Sequence, residues 1–178
     1  MTAKAKLEGI SEFEKMIDDA PTPERVCVKV AQLLRVERNE IALMRLEKGS
    51  LKFIYPGELR SAGAIPLTGS AVAARTAVTR APLLSNTFAR VKHVSLFETV
   101  KLGIVNESER AEQMPIQKII SVPVSDPDGD VIGVVQLSRK GLDATLAGID
   151  FTVEDLAQLE KAAQVIGRMP FMKDGAGL

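Results

Sequence analysis

The chain has 178 residues, 46% of them hydrophobic, which suits one domain whose core buries roughly 70% of the unfolded surface. Lysine plus arginine (23) equals aspartate plus glutamate (23), and a zero net charge argues against a dedicated nucleic-acid binder, which needs a phosphate-neutralising excess of cations. A single cysteine, Cys27, excludes an intrachain disulfide and a cysteine-rich metal site; no signal-peptide core or membrane-length apolar run occurs, so a cytoplasmic protein without membrane contact is expected.

Residues 7 to 19 place Leu7, Ile10, Phe13 and Ile17 on one helical stripe, and Pro21 ends that helix. Residues 1–20 therefore read as a helical extension, 21–170 as the domain, and 171–178 as a flexible tail. Thr22 caps a second helix with Pro23 at its first position. Its pattern turns Cys27, Val30, Leu33 and Leu34 inward, so Cys27 reads as a buried small hydrophobe and not a reactive thiol. Next comes a hairpin: Ile41 to Leu46, a turn at Lys48-Gly49-Ser50, and a return from Leu51 to Tyr55.

After a glycine-containing loop at 57–63, AIPL forms a short strand. Thr68 is expected to cap GSAVAARTAV, a helix of small residues that can lie close to a sheet or a ligand. The leading amides at Gly69, Ser70 and Ala71 suit an anion, and equally suit a capped helix packed on a sheet. APLLS is another short strand. Residues 87–116 have the weakest pattern, a length that in a small domain marks a lid or binding loop, with short helices expected around 96–102 and 107–113.

Residues 118–140, KIISVPVSDPDGDVIGVVQLSRK, organise the chain. Asp126-Pro127-Asp128-Gly129 is a turn between two apolar runs: Pro127 presets φ, and Gly129 accepts the left-handed conformation. Ile120, Val122 and Val124 share one parity, with Ile119, Ser121 and Pro123 on the other. In the return strand Val131, Val135 and Leu137 oppose Ile132, Val134, Gln136 and Ser138. Both faces are apolar enough to be covered. Val134 with Gln136 and Ser138 makes a mixed face, either a set of satisfied core polar groups or the floor of a ligand pocket. Pro123 has no donor for a ladder, so its position is expected where no ladder bond is needed.

GLDATLAGID then reads as a loop, and Thr152 with Asp155 as a capping box with aspartate in place of glutamate or glutamine. The closing helix spans about 152–169 and is stopped by Pro170. Leu156, Leu159, Ala163 and Ile166 form a narrow seam. That seam, with Phe13 and Ile17, either pairs with a symmetry mate as a homodimer of terminal helices or covers the sheet.

VPVSDPDGDVIGVVQLSRKG resembles the closing hairpin of a GAF domain. IPLTGSAVAARTAVTRAPLLSN is similar to that family's middle strand, small-residue helix and following strand, and DFTVEDLAQLEKAAQVIG to its closing helix. The resemblance covers about residues 20–170. It implies an α/β (α+β) fold with a central antiparallel sheet, helices on one face and a loop-covered pocket on the other. By position it assigns Tyr55, Val72, Ala73, Ile116 and Gln136 to that pocket, joining Val134 on the mixed face and Gly69 and Ser70 at the helix start. Cyclic-nucleotide-binding members carry NK, then F, three residues, then DE; Lys140, Phe151 and Asp155 match, while Arg139 and Leu156 depart. The matching residues imply a Lys140–Asp155 clasp. Gln136 stands where such members carry a carboxylate.

His93 is the only histidine, which leaves zinc and a serine triad without a ligand set; some GAF domains bind haem, so His93 has haem ligation as one reading, but a lone loop histidine is more often solvated, and no Walker or GxGxxG motif occurs. Bilin attachment requires a cysteine in the pocket region, and methionine-sulfoxide reduction requires several. The expectation is therefore a non-catalytic sensor without a cofactor. It would bind an unidentified small ligand and act in signal transduction, either handing its signal to a separate output protein or forming a fragment of a longer protein. The alternative is a dimerisation or interaction module whose pocket is closed by its own side chains.

Overall fold

The computed structural model describes Lys15, residues 21–90 and residues 114–173. Apart from Lys15, the helix expected over 7–19 lies outside the described residues, as do His93 and the two short helices expected around 96–102 and 107–113.

Among the described residues, the helices α1 (Pro23–Leu34), α2 (Val72–Thr79) and α3 (Val153–Ile166) accompany six strands. These are β1 (Ile41–Glu47), β2 (Ser50–Tyr55), β3 (Ala64–Pro66), β4 (Leu83–Ser85), β5 (Ile116–Ser125) and β6 (Val131–Lys140). All neighbours are antiparallel, in the order β3-β2-β1-β6-β5-β4. The fold is α+β, as the sequence predicted.

β6 lies at the middle, between β1 and β5, and both its faces are covered by apolar residues. The β5–β6 turn closes by side-chain chemistry. The Asp126 carboxylate accepts the amides of Asp128 and Asp130 at 2.9 and 3.0 Å. The Gly129 amide donates to the Asp126 carbonyl at 3.0 Å, and Gly129 takes φ +90°. Pro123 falls on the open edge of β5, beyond Ser121, whose partner Leu83 begins β4. A strand tolerates a missing donor there.

One face of the sheet is covered by α1 and α3. Ile120, Val122, Val124, Val135 and Leu137 meet Val26, Cys27, Val30 and Ala31 of α1 and Leu159, Ala163 and Ile166 of α3. Each such aliphatic side chain taken from water contributes about 2 kcal/mol before entropy is counted. Thr22 caps α1 by accepting the Arg25 amide, and the Thr152–Asp155 capping box starts α3. The Leu156 seam is occupied within the chain, since Leu159, Ala163 and Ile166 are buried against the sheet and Leu156 packs on the same cluster. α2 covers the other face, with Ala73 and Ala77 on Ala42, Met44, Phe53 and Val134.

Several boundaries differ from those read in the sequence. α2 begins at Val72, not after Thr68, because the Gly69 amide donates to Pro66 O at 3.0 Å and closes a turn. The chain then extends at Ala71 before the helix starts, and no side chain caps it. In α1, Val26 and Ala31 are buried while Leu33 is half-buried. At the start of β6 the strict alternation fails. Val131 packs with the Met44 cluster and Ile132 with the helical layer, because the pairing register shifts between Val124 and Ser125. At Phe171 and Met172, where the sequence predicts the start of a flexible tail, the chain is packed. Phe171 and Met172 are buried, and Arg45 donates to Phe171 O at 2.9 Å.

Candidate functional site

Beneath α2 the sheet carries a line of polar side chains on an otherwise apolar face. Cross-strand pairing sets Gln136 of β6 between Ser121 of β5 and Ala42 of β1. Gln136 Nε2 donates to Ser121 Oγ at 3.1 Å, and Ser121 Oγ lies 2.8 Å from Thr76 Oγ1 on α2. Thr76 donates in turn to Val72 O at 2.9 Å. A hydroxyl has one proton to give. Thr76 spends its proton on Val72, so Ser121 donates to Thr76, and Gln136 feeds the chain.

Gln136 Oε1 is then left over. It is buried and finds no hydrogen-bond partner among the described residues, while the whole residue is 1% exposed. A buried carbonyl without a donor costs about 1–3 kcal/mol, so its retention calls for an explanation.

Around this line, Val72 packs with Phe88, Ile116 and Ile119, and Ala73 with Val134. Of the expected pocket residues, Val72, Ala73, Ile116, Val134 and Gln136 thus surround one region. Three do not. Gly69 and Ser70 are exposed ahead of the helix, and the Gly69 amide is already committed to Pro66. Tyr55 is on the opposite face of the sheet. A β-bulge between Leu43 and Met44 pairs Leu43 with Tyr55 and Met44 with Phe53, so Ile54 is the extra residue. Ile54 and Tyr55 both point into the helical layer, and the Tyr55 hydroxyl donates to Arg38 O at 3.1 Å. Burial there pushes the phenol above its ordinary pKa.

Thr76, Ser121 and Phe88 complete the region without having been singled out as ligand contacts. Ser121 shares the parity of the mixed face, and Thr76 follows Val72 by one helical turn; those two periodicities are the signal that places them.

The implied Lys140–Asp155 clasp is absent among the ion pairs of the described residues. Asp155 caps Thr152, and Lys140 Nζ donates to Asn39 O at 2.7 Å. The same loop is clasped by neighbours instead. Lys118 pairs with Asp150 at 2.9 Å, and the Arg139 guanidinium lies 4.6 Å over the Phe151 ring. A separate cleft of about 630 Å³ lies outside the Gln136 region, between the open edge of β5 and α3, with Arg80, Pro123, Asp126, Glu160 and Arg168 in its wall. Its mixed charges have no buried polar group to organise them. No group of three or more His, Cys, Asp or Glu side chains suited to a metal ion occurs among the described residues.

A GAF domain profile matches residues 24–168. The chain belongs to the GAF domain family. Solved GAF domains share its architecture. That of an Acinetobacter phosphoenolpyruvate-protein phosphotransferase matches with a TM-score of 0.67 at 11% identity, over 94% of this chain and 92% of that one. The GAF domain of the Coxiella burnetii phosphoenolpyruvate-protein phosphotransferase gives 0.66 at 12% identity, over 94% and 93%. The fRMsr of Staphylococcus aureus in complex with substrate gives 0.58 at 17% identity, over 91% and 93%. No curated protein sequence matches the chain. GAF domains are in general regulatory modules that bind small molecules. Among the described residues, no helix is long and apolar enough to cross a membrane.

Proposed function

We propose that this GAF domain is a non-catalytic sensor in signal transduction, holding a small polar ligand over the sheet face beside α2. The unpartnered Gln136 Oε1 carries this reading. Its amide nitrogen is engaged by Ser121, so the atom left over is an acceptor, and the ligand that satisfies it presents an N–H or O–H. Val72, Ala73, Ile116 and Val134 supply the apolar surround. A cytoplasmic setting and a separate output protein belong to the same proposal. Homodimerisation through terminal helices would have to rely on residues 7–19, because α3 has buried its seam on its own sheet.

Gln136→Leu separates sensor from scaffold. In a thermal-shift screen of nucleosides, amino acids and amides, at least one donor-bearing compound is expected to raise the wild-type melting temperature. The same compound should leave Gln136→Leu unchanged, while the unliganded variant still unfolds cooperatively. If no compound shifts the wild type, the sensor reading fails. The chain is then an interaction module, a reading favoured by one observation: Phe88 is 2% exposed and already packs against Val72, Ile116 and Ile119.

The absence of catalysis is proposed on the placement of Cys27. It is fully buried in the helical layer, on the face of the sheet opposite Gln136, and burial pushes its thiol up. A thiol of that kind is not a thiolate at neutral pH. A disulfide-exchange reagent is expected to label Cys27 only at the rate of global unfolding, and Cys27→Ala to cost about 1 kcal/mol from lost packing. Labelling of the native protein within seconds would reverse the assignment.

A further inference from the structure

The loop between β6 and α3, together with the first residue of α3, turns apolar side chains outward. Leu142, Leu146, Ile149 and Val153 are exposed at 70%, 67%, 70% and 76%, and they are four of the six large hydrophobics left exposed among the described residues. Scattered exposed aliphatics need no account, but four within twelve positions of one connection do.

The loop is tightly held. The amide of Leu146 donates to Asp143 Oδ1 at 2.8 Å, and Gln117 Nε2 donates to Gly141 O at 3.0 Å. Lys118 Nζ, almost wholly buried, reaches up from β5 to Gly148 O at 2.5 Å and Asp150 at 2.9 Å. At the far end Asn86 pairs with Phe151 as a strand would. Its Oδ1 accepts the Phe151 amide at 2.8 Å, and its Nδ2 donates to the Phe151 carbonyl at 2.9 Å. Side-chain and strand contacts thus fix a backbone that presents leucine, isoleucine and valine to water.

Charge decides what covers it. No lysine or arginine occurs from residue 141 to 160, and Asp143, Asp150 and Glu154 are exposed among the apolar positions. A second copy of the same surface would bring two acidic rims together, and an anionic lipid surface would be repelled in the same way. Four side chains from one loop are too few for the roughly 800 Å² per partner of a standard globular interface, but they suit the apolar stripe of a single helix.

We propose that the β6–α3 loop docks a basic amphipathic helix of a partner protein. The helix's apolar stripe would pack on Leu142, Leu146, Ile149 and Val153, and its lysines or arginines would face Asp143, Asp150 and Glu154. This holds whether or not the Gln136 region takes a ligand.

The test uses the full chain and a fluorescent synthetic helix with one leucine face and one lysine face, alongside its glutamate counterpart, followed by anisotropy. The lysine peptide is expected to bind the wild type, to weaken with added salt, and to bind Leu146→Ser/Ile149→Ser about tenfold or more weakly. Both serines replace exposed side chains, so the variant should melt where the wild type does. Asp143→Lys/Glu154→Lys should exchange the peptide preference. Equal binding by wild type and the serine variant, or none by either, overturns the proposal. So does a wild type that dimerises, or that floats with zwitterionic vesicles, when the serine variant does neither.

Discussion

Gly167→Ala is expected to destabilise the fold by about 3 kcal/mol, with the urea m-value unchanged. A Cβ at that position would lie 1.9 Å from the carbonyl oxygen of Ser125 and 3.4 Å from that of Ala163. Neither obstacle is the end of a flexible side chain; both are backbone. The end of α3 would have to lift from β5, loosening the contacts that bury Val165 and Ile166. Gly49→Ala is the internal comparison. Gly49 has φ +77° in the β1–β2 turn and open space where its Cβ would go, so only the conformational cost of about 1 kcal/mol is expected. Equal losses from the two substitutions would show that α3 does not approach the strand this closely.

Deleting the exposed half of the Lys118–Asp150 pair is expected to cost more than deleting the buried half. The Lys118 side chain is 5% exposed and that of Asp150 69%. Asp150→Asn leaves a buried ammonium that keeps its hydrogen bond to Gly148 O but loses its counter-charge, a loss of about 2 kcal/mol once the exposure of the carboxylate is discounted. Lys118→Met removes the charge and keeps most of the volume, while the groups it abandons are exposed to water, so its cost should stay under about 1 kcal/mol. The double variant should resemble Lys118→Met alone. Chemical denaturation of the three variants reads this directly, and additive losses would mean that the two groups do not interact.

The hairpin at 118–140, the capping residues Thr22, Thr152 and Asp155, and the buried state of Cys27 were legible because each depends on residues within a few positions of one another. So was the mixed face of β6, since period-two alternation put Gln136 and Val134 together. What was not legible depended on register. Tyr55 left the expected region because one extra residue, Ile54, turns two successive side chains to the same side, and no local pattern announces a bulge of that kind. The same effect exchanged Val131 and Ile132. Thr68 looked like a helix cap by residue type. Whether a turn or a helix follows such a residue depends on where the Pro66 carbonyl finds its donor, and that is settled in three dimensions. The Lys140–Asp155 clasp failed for a related reason: Asp155 had a nearer use at Thr152.

Arg139 sits three residues along β6 from Gln136, an odd step that turns its contacts into the other layer. One nitrogen donates to Arg35 O at the end of α1 at 2.9 Å, and the guanidinium plane lies against Phe151, just ahead of α3. Mechanically this is a strut joining a strand to two helices. A hydrogen bond and a stacked cation tolerate only a few tenths of an ångström before they weaken. Any sliding of β6 must therefore carry the end of α1 and the beginning of α3 with it, or break the strut.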